Sequence, residues 1–297
     1  GGLHLHRHPQ LIAPPARIAA LDLIRGVVVL GIVAINVASF AGPPSWSYMP
    51  GGAGPRSTAD IWAFATGFVL FEGKMRALFS ILFGAGLLLF IDRAEAAGRD
   101  GAGLQLRRLG WLALFGYLHF ALLWDGDILF LYAAAGLAAL LLRRADPAPM
   151  LAAALLLFTA WQINGATKWV DAASAEQLVR AGAASAKTEA GYHAQIAKRR
   201  LQDAEALVVK RGPYWRDVGH KVMEKPFYPL TLVVVVIGET LPWMLIGMAL
   251  HRSGFFAGGW PRRRLWQMAL IGTGLGGLAT LAIAPAVARL VGTDLSA

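Results

Sequence analysis

The sequence predicts an all-α, polytopic membrane helical bundle of about seven transmembrane helices, with one broken or re-entrant segment and a helical extracytoplasmic insert. Three observations predict it. Hydrophobic residues make up 56% of the 297 positions and charged residues only 15%, against about 25% charged in a typical soluble domain. The apolar residues gather in long blocks, such as 109–124 and 230–250, as a segment crossing the hydrocarbon core must. The basic residues fall in short loops between these blocks, where they orient helices.

Along the chain, residues 1–17 read as a flexible basic tail, and the alternating His4, His6 and His8 as part of it rather than as a metal site. Helices 1 to 5 occupy 18–164. Helix 1 covers about 18–42, and Asp22, Arg25 and Asn36 inside it argue against a cleavable signal peptide. A Pro/Gly loop, 43–57, follows. Segment 58–91 is apolar but broken at Glu72-Gly73-Lys74, which fits two crossings or one crossing preceded by a break, with one preferred. Helix 3 is expected at 106–124, helix 4 at 128–142 and helix 5 at 149–164. Residues 165–229 form a polar helical insert, read as a solvated cap or as a lid over a site. Helices 6 and 7 fall at about 230–250 and 265–290, within a final stretch 230–297.

The arginines set the orientation. Arg93, Arg99, Arg107 and Arg108 share one loop, Arg143 and Arg144 another, and Arg252 and Arg262–Arg264 a third. Alternating helices put all three loops on one side, the cytoplasmic one. The insert then lies on the periplasmic side of a bacterial inner membrane. The net charge of +10 belongs to this pattern and not to a nucleic-acid surface. Without cysteine there is no disulfide or thiolate zinc site, and no metal site is expected.

Ionisable groups inside spans are costly, so they are candidate site residues. Asp22 and Arg25, three apart, share a helix face and can pair, or Arg25 can hold an anionic group such as a phosphate. Asn36 lies 14 residues beyond Asp22, about 21 Å across the membrane, as interhelical glue or a site residue. The broken segment carries Glu72, Lys74 and Arg76, and Glu239 in helix 6 could pair with Lys74 or Arg76, relay protons or touch substrate. His119 sits near the outer end of its helix, at the depth of Asn36. With Asp125 or Asp127 to orient it, it has the makings of a base; bonded to a neighbouring helix, it is structural. Phe83-Gly84-Ala85-Gly86 and the glycines at 272–277 read as close-packing stripes. Pro242 is expected to kink helix 6.

Four stretches together resemble the YeiB family of bacterial multi-spanning membrane proteins. They are Arg17-Ile18-Ala19-Ala20-Leu21-Asp22-Leu23-Ile24-Arg25-Gly26 with Asn36, and Phe71-Glu72-Gly73-Lys74-Met75-Arg76 through Gly86. The third runs from Gly116-Tyr117-Leu118-His119 through Trp124-Asp125-Gly126-Asp127 to Tyr132, and the fourth is Gly247-Met248-Ala249-Leu250-His251-Arg252-Ser253-Gly254. That family is similar to the transmembrane acyltransferases of the heparan-α-glucosaminide N-acetyltransferase type. The resemblance implies an acyl-CoA donor entering from the cytosol and an acceptor on the far side, with Asp22, Arg25 and Asn36 in the site. Arg107 and Arg108 would join Arg25 on the donor phosphates. Those acetyltransferases use a histidine in the loop after the first motif helix. Residues 43–57 hold none, so His119 with Asp127 would serve. Family members continue for further helices, so the chain reads as a truncated or degenerate member. A non-catalytic scaffold or accessory subunit of a larger complex, or a transporter or flippase using Glu239, are the competing expectations. Membrane lipids, and protein partners in a complex or homo-oligomer, are the expected partners.

Overall fold

The computed structural model describes residues 19–43 and 57–292. The tail with its three histidines and the Pro/Gly loop, apart from residues 43 and 57, lie outside the described residues. The described residues contain helices and no strand. In order they are α1 (Ala19–Ala41), α2 (Thr58–Leu70), α3 (Lys74–Ala96), α4 (Gly101–Leu122), α5 (Leu129–Leu140), α6 (Pro147–Arg180), α7 (Ala186–Arg211), α8 (Tyr214–Gly219), α9 (Tyr228–Arg252) and α10 (Arg262–Gly292).

Local chemistry sets the helix ends. Ser57 and Asp60 open α2 with a capping box, in which the Asp60 N–H donates to Ser57 Oγ (3.1 Å) and the Ser57 N–H to Asp60 Oδ2 (2.9 Å). Gly73, at φ +71°, then breaks the apolar run. α2 and α3 follow one another through this break without packing side by side, as two antiparallel crossings would. Asp100 caps α4 by accepting from the Gly103 N–H at 2.9 Å. Pro147 opens α6, and Ser185 caps α7.

Among the described residues, three stretches are long and apolar enough to cross a membrane: Thr58–Ala96, Pro147–Arg180 and Tyr228–Arg252. The expected count of seven is not supported. α5 has 12 residues, about 18 Å at 1.5 Å per residue, short of a hydrocarbon core about 30 Å thick. α4 is long enough, but Arg107, Arg108 and His119 interrupt it. A second correction concerns the insert. α6 does not stop at 164; it continues unbroken to Arg180 before turning back into α7.

α9 is the centre of the bundle and packs against α3, α5 and α6. It runs parallel to α3, joined to it near the start by Arg76–Glu239 and near the end by Asp92–His251. The two backbones almost touch between these points. A methyl group on Gly84 would lie 2.0 Å from the Met244 carbonyl oxygen, and one on Gly247 2.0 Å from that of Ile81. Gly116 admits the α5 backbone at Phe130 in the same way. The core beside the α3–α9 seam is filled by Leu87, Leu88, Ile91, Met150, Leu245 and Met248. α1 and α4 pack on α3, whereas among the described residues α10 makes no extended contact with another helix.

The arginine loops share one end of the bundle. The Arg108 guanidinium lies 4.1 Å over the Phe90 ring, His251 Nε2 meets Asp92 at 2.8 Å, and Arg252 donates to the Arg143 carbonyl oxygen. The turn Trp124–Asp127, the end of α1 and the start of α9 gather at the other end, through Phe40 against Trp124 and Phe120 against Tyr228.

Candidate functional site

α4 leads to the outer end through Gly116-Tyr117-Leu118-His119, and the short turn 123–128 brings Asp127 back beneath the histidine. His119 Nδ1 faces Asp127 Oδ1 at 3.1 Å, and neither atom has a hydrogen-bond partner. Asp127 Oδ2 accepts from the Phe130 N–H at 2.9 Å, so one carboxylate both fixes the start of α5 and faces the ring. The Asp127 side chain is only 3% exposed, while His119 keeps 33%. Burial pushes the Asp127 carboxyl above its ordinary range, opposed by the Leu129 and Phe130 N–H groups and by the His119 ring. With Nδ1 turned to a carboxylate, Nε2 is the nitrogen left to accept a proton. Asp125 is not the orienting carboxylate; it faces Lys210 at 3.8 Å.

A second polar group lies at a similar level. Arg76 donates from Nη1 to Glu72 Oε1 (2.7 Å) and from Nε to Glu239 Oε1 (3.2 Å). The Arg76 carbonyl oxygen accepts from Ser80 Oγ (2.8 Å) and Tyr132 OH (3.3 Å), and those hydroxyls are 2.7 Å apart. Of the two pairings expected for Glu239, the structure selects Arg76, and Lys74 stays exposed. Ser80 and Tyr132 were missed as polar-network residues. The signal available was a serine and a tyrosine within apolar spans.

At the arginine-loop end, Arg25 Nη1 bonds Asp22 Oδ1 at 3.3 Å. A methyl on Gly86 would be 3.5 Å from Arg25 Nη2. Gly86 and Phe90 are one turn apart on α3, so Arg25 from α1 and Arg108 from α4 lie one turn apart along the same helix. Arg108 also donates to Gln105 Oε1 at 3.2 Å, and Arg107 is exposed. Asn36 is half-buried on α1.

A shared spacing ties these residues together. Arg25 and Asn36 are 11 residues apart on α1, and Arg108 and His119 are 11 apart on α4. Eleven residues are close to three helical turns, so each pair shares a face, with about 16 Å between its members. α1 and α4 both pack on α3, and among the described residues they do not pack extensively along one another. An arginine stands on each of these two helices towards one end, with Asn36 and His119 towards the other. Phe40 closes that outer end edge-on to Trp124, with ring centroids 4.6 Å apart. Lys210 reaches in from α7 to donate to the Gly42 carbonyl oxygen at 2.9 Å. The described residues contain no group of His, Asp and Glu able to hold a metal ion.

No known family profile matches the chain, and no solved structure matches it. It is 30% identical over 267 residues to the uncharacterized protein YxaH of Bacillus subtilis (strain 168), covering 86% of this chain and 64% of that one. It is 27% identical over 256 residues to the uncharacterized protein YeiB of Escherichia coli (strain K12), covering 82% and 57%. An uncharacterized 39.9 kDa protein from the amylase 3′ region of Bacillus acidopullulyticus is 36% identical over 128 residues, covering 42% of this chain. The chain thus spans less than two thirds of the length of each relative.

Proposed function

We propose that this chain is a YeiB-type, multi-pass bacterial inner-membrane protein that works as an acyltransferase, with His119 as its base. The similarity to YxaH and YeiB supports the family reading. The gathering of the arginine loops at one end supports a cytoplasmic placement of that end and a periplasmic placement of the insert.

One observation carries the enzymatic reading: on two helices that both pack on α3, Arg25 and Arg108 stand near the end read as cytoplasmic and the His119–Asp127 pair near the outer end. Guanidinium groups suit donor phosphates, because they hold charge and direct several N–H bonds at once. The pantetheine arm of an acyl-CoA is long and thin enough to run from such a phosphate site towards the outer side. There His119 Nε2 takes the proton of an acceptor hydroxyl or amine as its oxygen or nitrogen attacks the thioester carbonyl. Asp127 holds the ring and stabilises the imidazolium that forms. The acyl–sulfur bond breaks, the acyl group passes to the acceptor, and the CoA thiolate recovers a proton. Asn36, on the same face of α1 as Arg25, is a candidate donor to the developing oxyanion. The acceptor is an envelope sugar, a lipid or a secondary metabolite.

The test uses purified protein in lipid nanodiscs with radiolabelled acetyl-CoA. Wild type is expected to bind and turn over the donor. His119→Ala should bind the donor but lose transfer, and Arg25→Ala should weaken donor binding. Equal binding and turnover in all three refutes the mechanism.

A second reading, a scaffold or accessory subunit, draws on the Arg76–Glu72–Glu239 network. There one guanidinium bridges two carboxylates, one of them on another helix, as a structural clamp does. Stable co-purification with a larger membrane complex, without donor binding, is its signature.

A further inference from the structure

The stretch from α8 to the start of α9 is amphipathic with its polarity reversed. A helix bathed in water turns charge outward and apolar groups inward. Here the side chain of Lys221 is buried and paired with Asp217 at 2.6 Å, facing the protein. The outward positions carry Trp215 (75% exposed), Met223 (83%) and Phe227 (75%), with Tyr214 and Val222 beside them. Arg216, Glu224 and Lys225 are exposed among these apolar groups. The patch runs directly into the outward face of α9, where Leu230, Val234 and Val235 are exposed on a helix apolar enough to span.

An aromatic and methionine face flanked by basic residues, continuous with a span and closed on its other side by an ion pair, matches the headgroup–acyl boundary of a bilayer. We infer that residues 214–227 form an interfacial anchor embedded in the periplasmic leaflet, so that this part of the insert rests in lipid and not in the aqueous periplasm. The inference rests on the membrane placement proposed above.

The anchor bears on the candidate site through two contacts. Tyr214 OH donates to the Leu122 carbonyl oxygen at 2.7 Å, one turn beyond His119, and Tyr228 stacks on Phe120 with centroids 5.8 Å apart. Fixing the anchor at headgroup depth therefore fixes the end of α4, and His119 with it, at that depth. An acceptor that reaches His119 from there is an amphiphile lying in the outer leaflet.

The absence of cysteine allows a direct test. Single-cysteine variants Trp215→Cys, Met223→Cys and Phe227→Cys are labelled with bimane and reconstituted in phosphatidylethanolamine–phosphatidylglycerol vesicles. Quenching is read with lipids carrying a doxyl group near the headgroup or near the chain end, and with aqueous iodide. Lys198→Cys on α7 serves as the aqueous reference and Val234→Cys as the acyl-chain reference. The expected result is loss of emission with headgroup-proximal doxyl at all three positions, less loss with chain-end doxyl, and little with iodide. Iodide quenching equal to that at Lys198→Cys overturns the inference. Protection from every quencher also overturns it, because a protein partner or second copy then covers the face. Val234→Cys separates the two failures: if it too is open to iodide, the membrane placement itself is wrong.

Discussion

Replacing Gly84 by alanine tests the α3–α9 seam, on which the depth of every outer polar group depends. The added methyl carbon would sit 2.0 Å from the Met244 carbonyl oxygen, where real contacts do not fall below 3.0 Å. Backbone cannot swing aside as a side chain can, so the helices must part by about 1 Å. The parting loosens the packing of Leu87, Leu88, Leu245 and Met248 beside the seam. Overpacking of this kind costs about 1–3 kcal/mol. Gly247→Ala meets the Ile81 carbonyl oxygen at the same 2.0 Å and should cost a similar amount. One separation relieves both clashes, so the double variant should lose clearly less than the sum of the singles. Gly272→Ala, with nothing within 4 Å, is the control; removing an interior helical glycine there should gain up to about 1 kcal/mol. The assay is thermal unfolding in a fixed detergent micelle, followed by recovery of the monodisperse peak, with a shift of about 2–4 °C expected per kcal/mol. If Gly84→Ala matches the Gly272→Ala control, or the double variant is fully additive, the close crossing does not exist as described.

Three further outcomes follow from the polar groups. Arg76→Ala leaves Glu72 and Glu239 facing each other without their cation and should cost about 1–3 kcal/mol, below the 3–5 typical of a fully buried pair because the site is partly exposed. Arg76→Lys should recover only part of that, since one ammonium cannot serve both carboxylates as a guanidinium does; the midpoints of the three proteins check it. Tyr132→Phe should cost about 1 kcal/mol, and Ser80→Ala a similar amount, because each leaves the other hydroxyl on the Arg76 carbonyl oxygen; removing both should cost more than the sum. Asp127 binds its proton more tightly folded than unfolded, so it favours folding below the ordinary aspartate range, near pH 3.9, and this contribution is lost as pH rises through the higher native value. Asp127→Asn should therefore flatten the fall in stability above that range, measured as midpoint against pH, and under the proposed mechanism it should also lower acyl transfer.

Much of the candidate site was legible because its chemistry is local or repeats with the helical period. The Asp22–Arg25 pair follows from a spacing of three, and the match in depth between Asn36 and His119 from counting residues along helices. The His119–Asp127 partnership needed only a short turn. The choice of Arg76 over Lys74 as the partner of Glu239 was open in the sequence, because positions two apart on one helix differ by about 200° and the facing helix decides which of them is met. The Phe83–Gly86 stripe was read as a packing surface, and Gly84 is one, but Gly86 instead lies beneath Arg25. The continuation of α6 to Arg180 was hidden because residues after 164 turn polar, and polarity marks the end of a hydrophobic block, not the end of a helix.

The sequence by itself determined the helical class of this protein and its charge-poor, apolar blocks, three of which, among the described residues, form helices long and apolar enough to cross a membrane. The arginine-rich turns between such blocks were legible in the same way, as groups that gather at one end. Only the tertiary structure decided how those helices meet. The parallel run of α3 and α9, the seating of α1 and α4 on α3, and the outward turn of Trp215 and Met223 all depend on contacts between residues far apart in the chain. Such contacts rest on which glycines let two backbones touch, and a one-dimensional pattern carries no term for that.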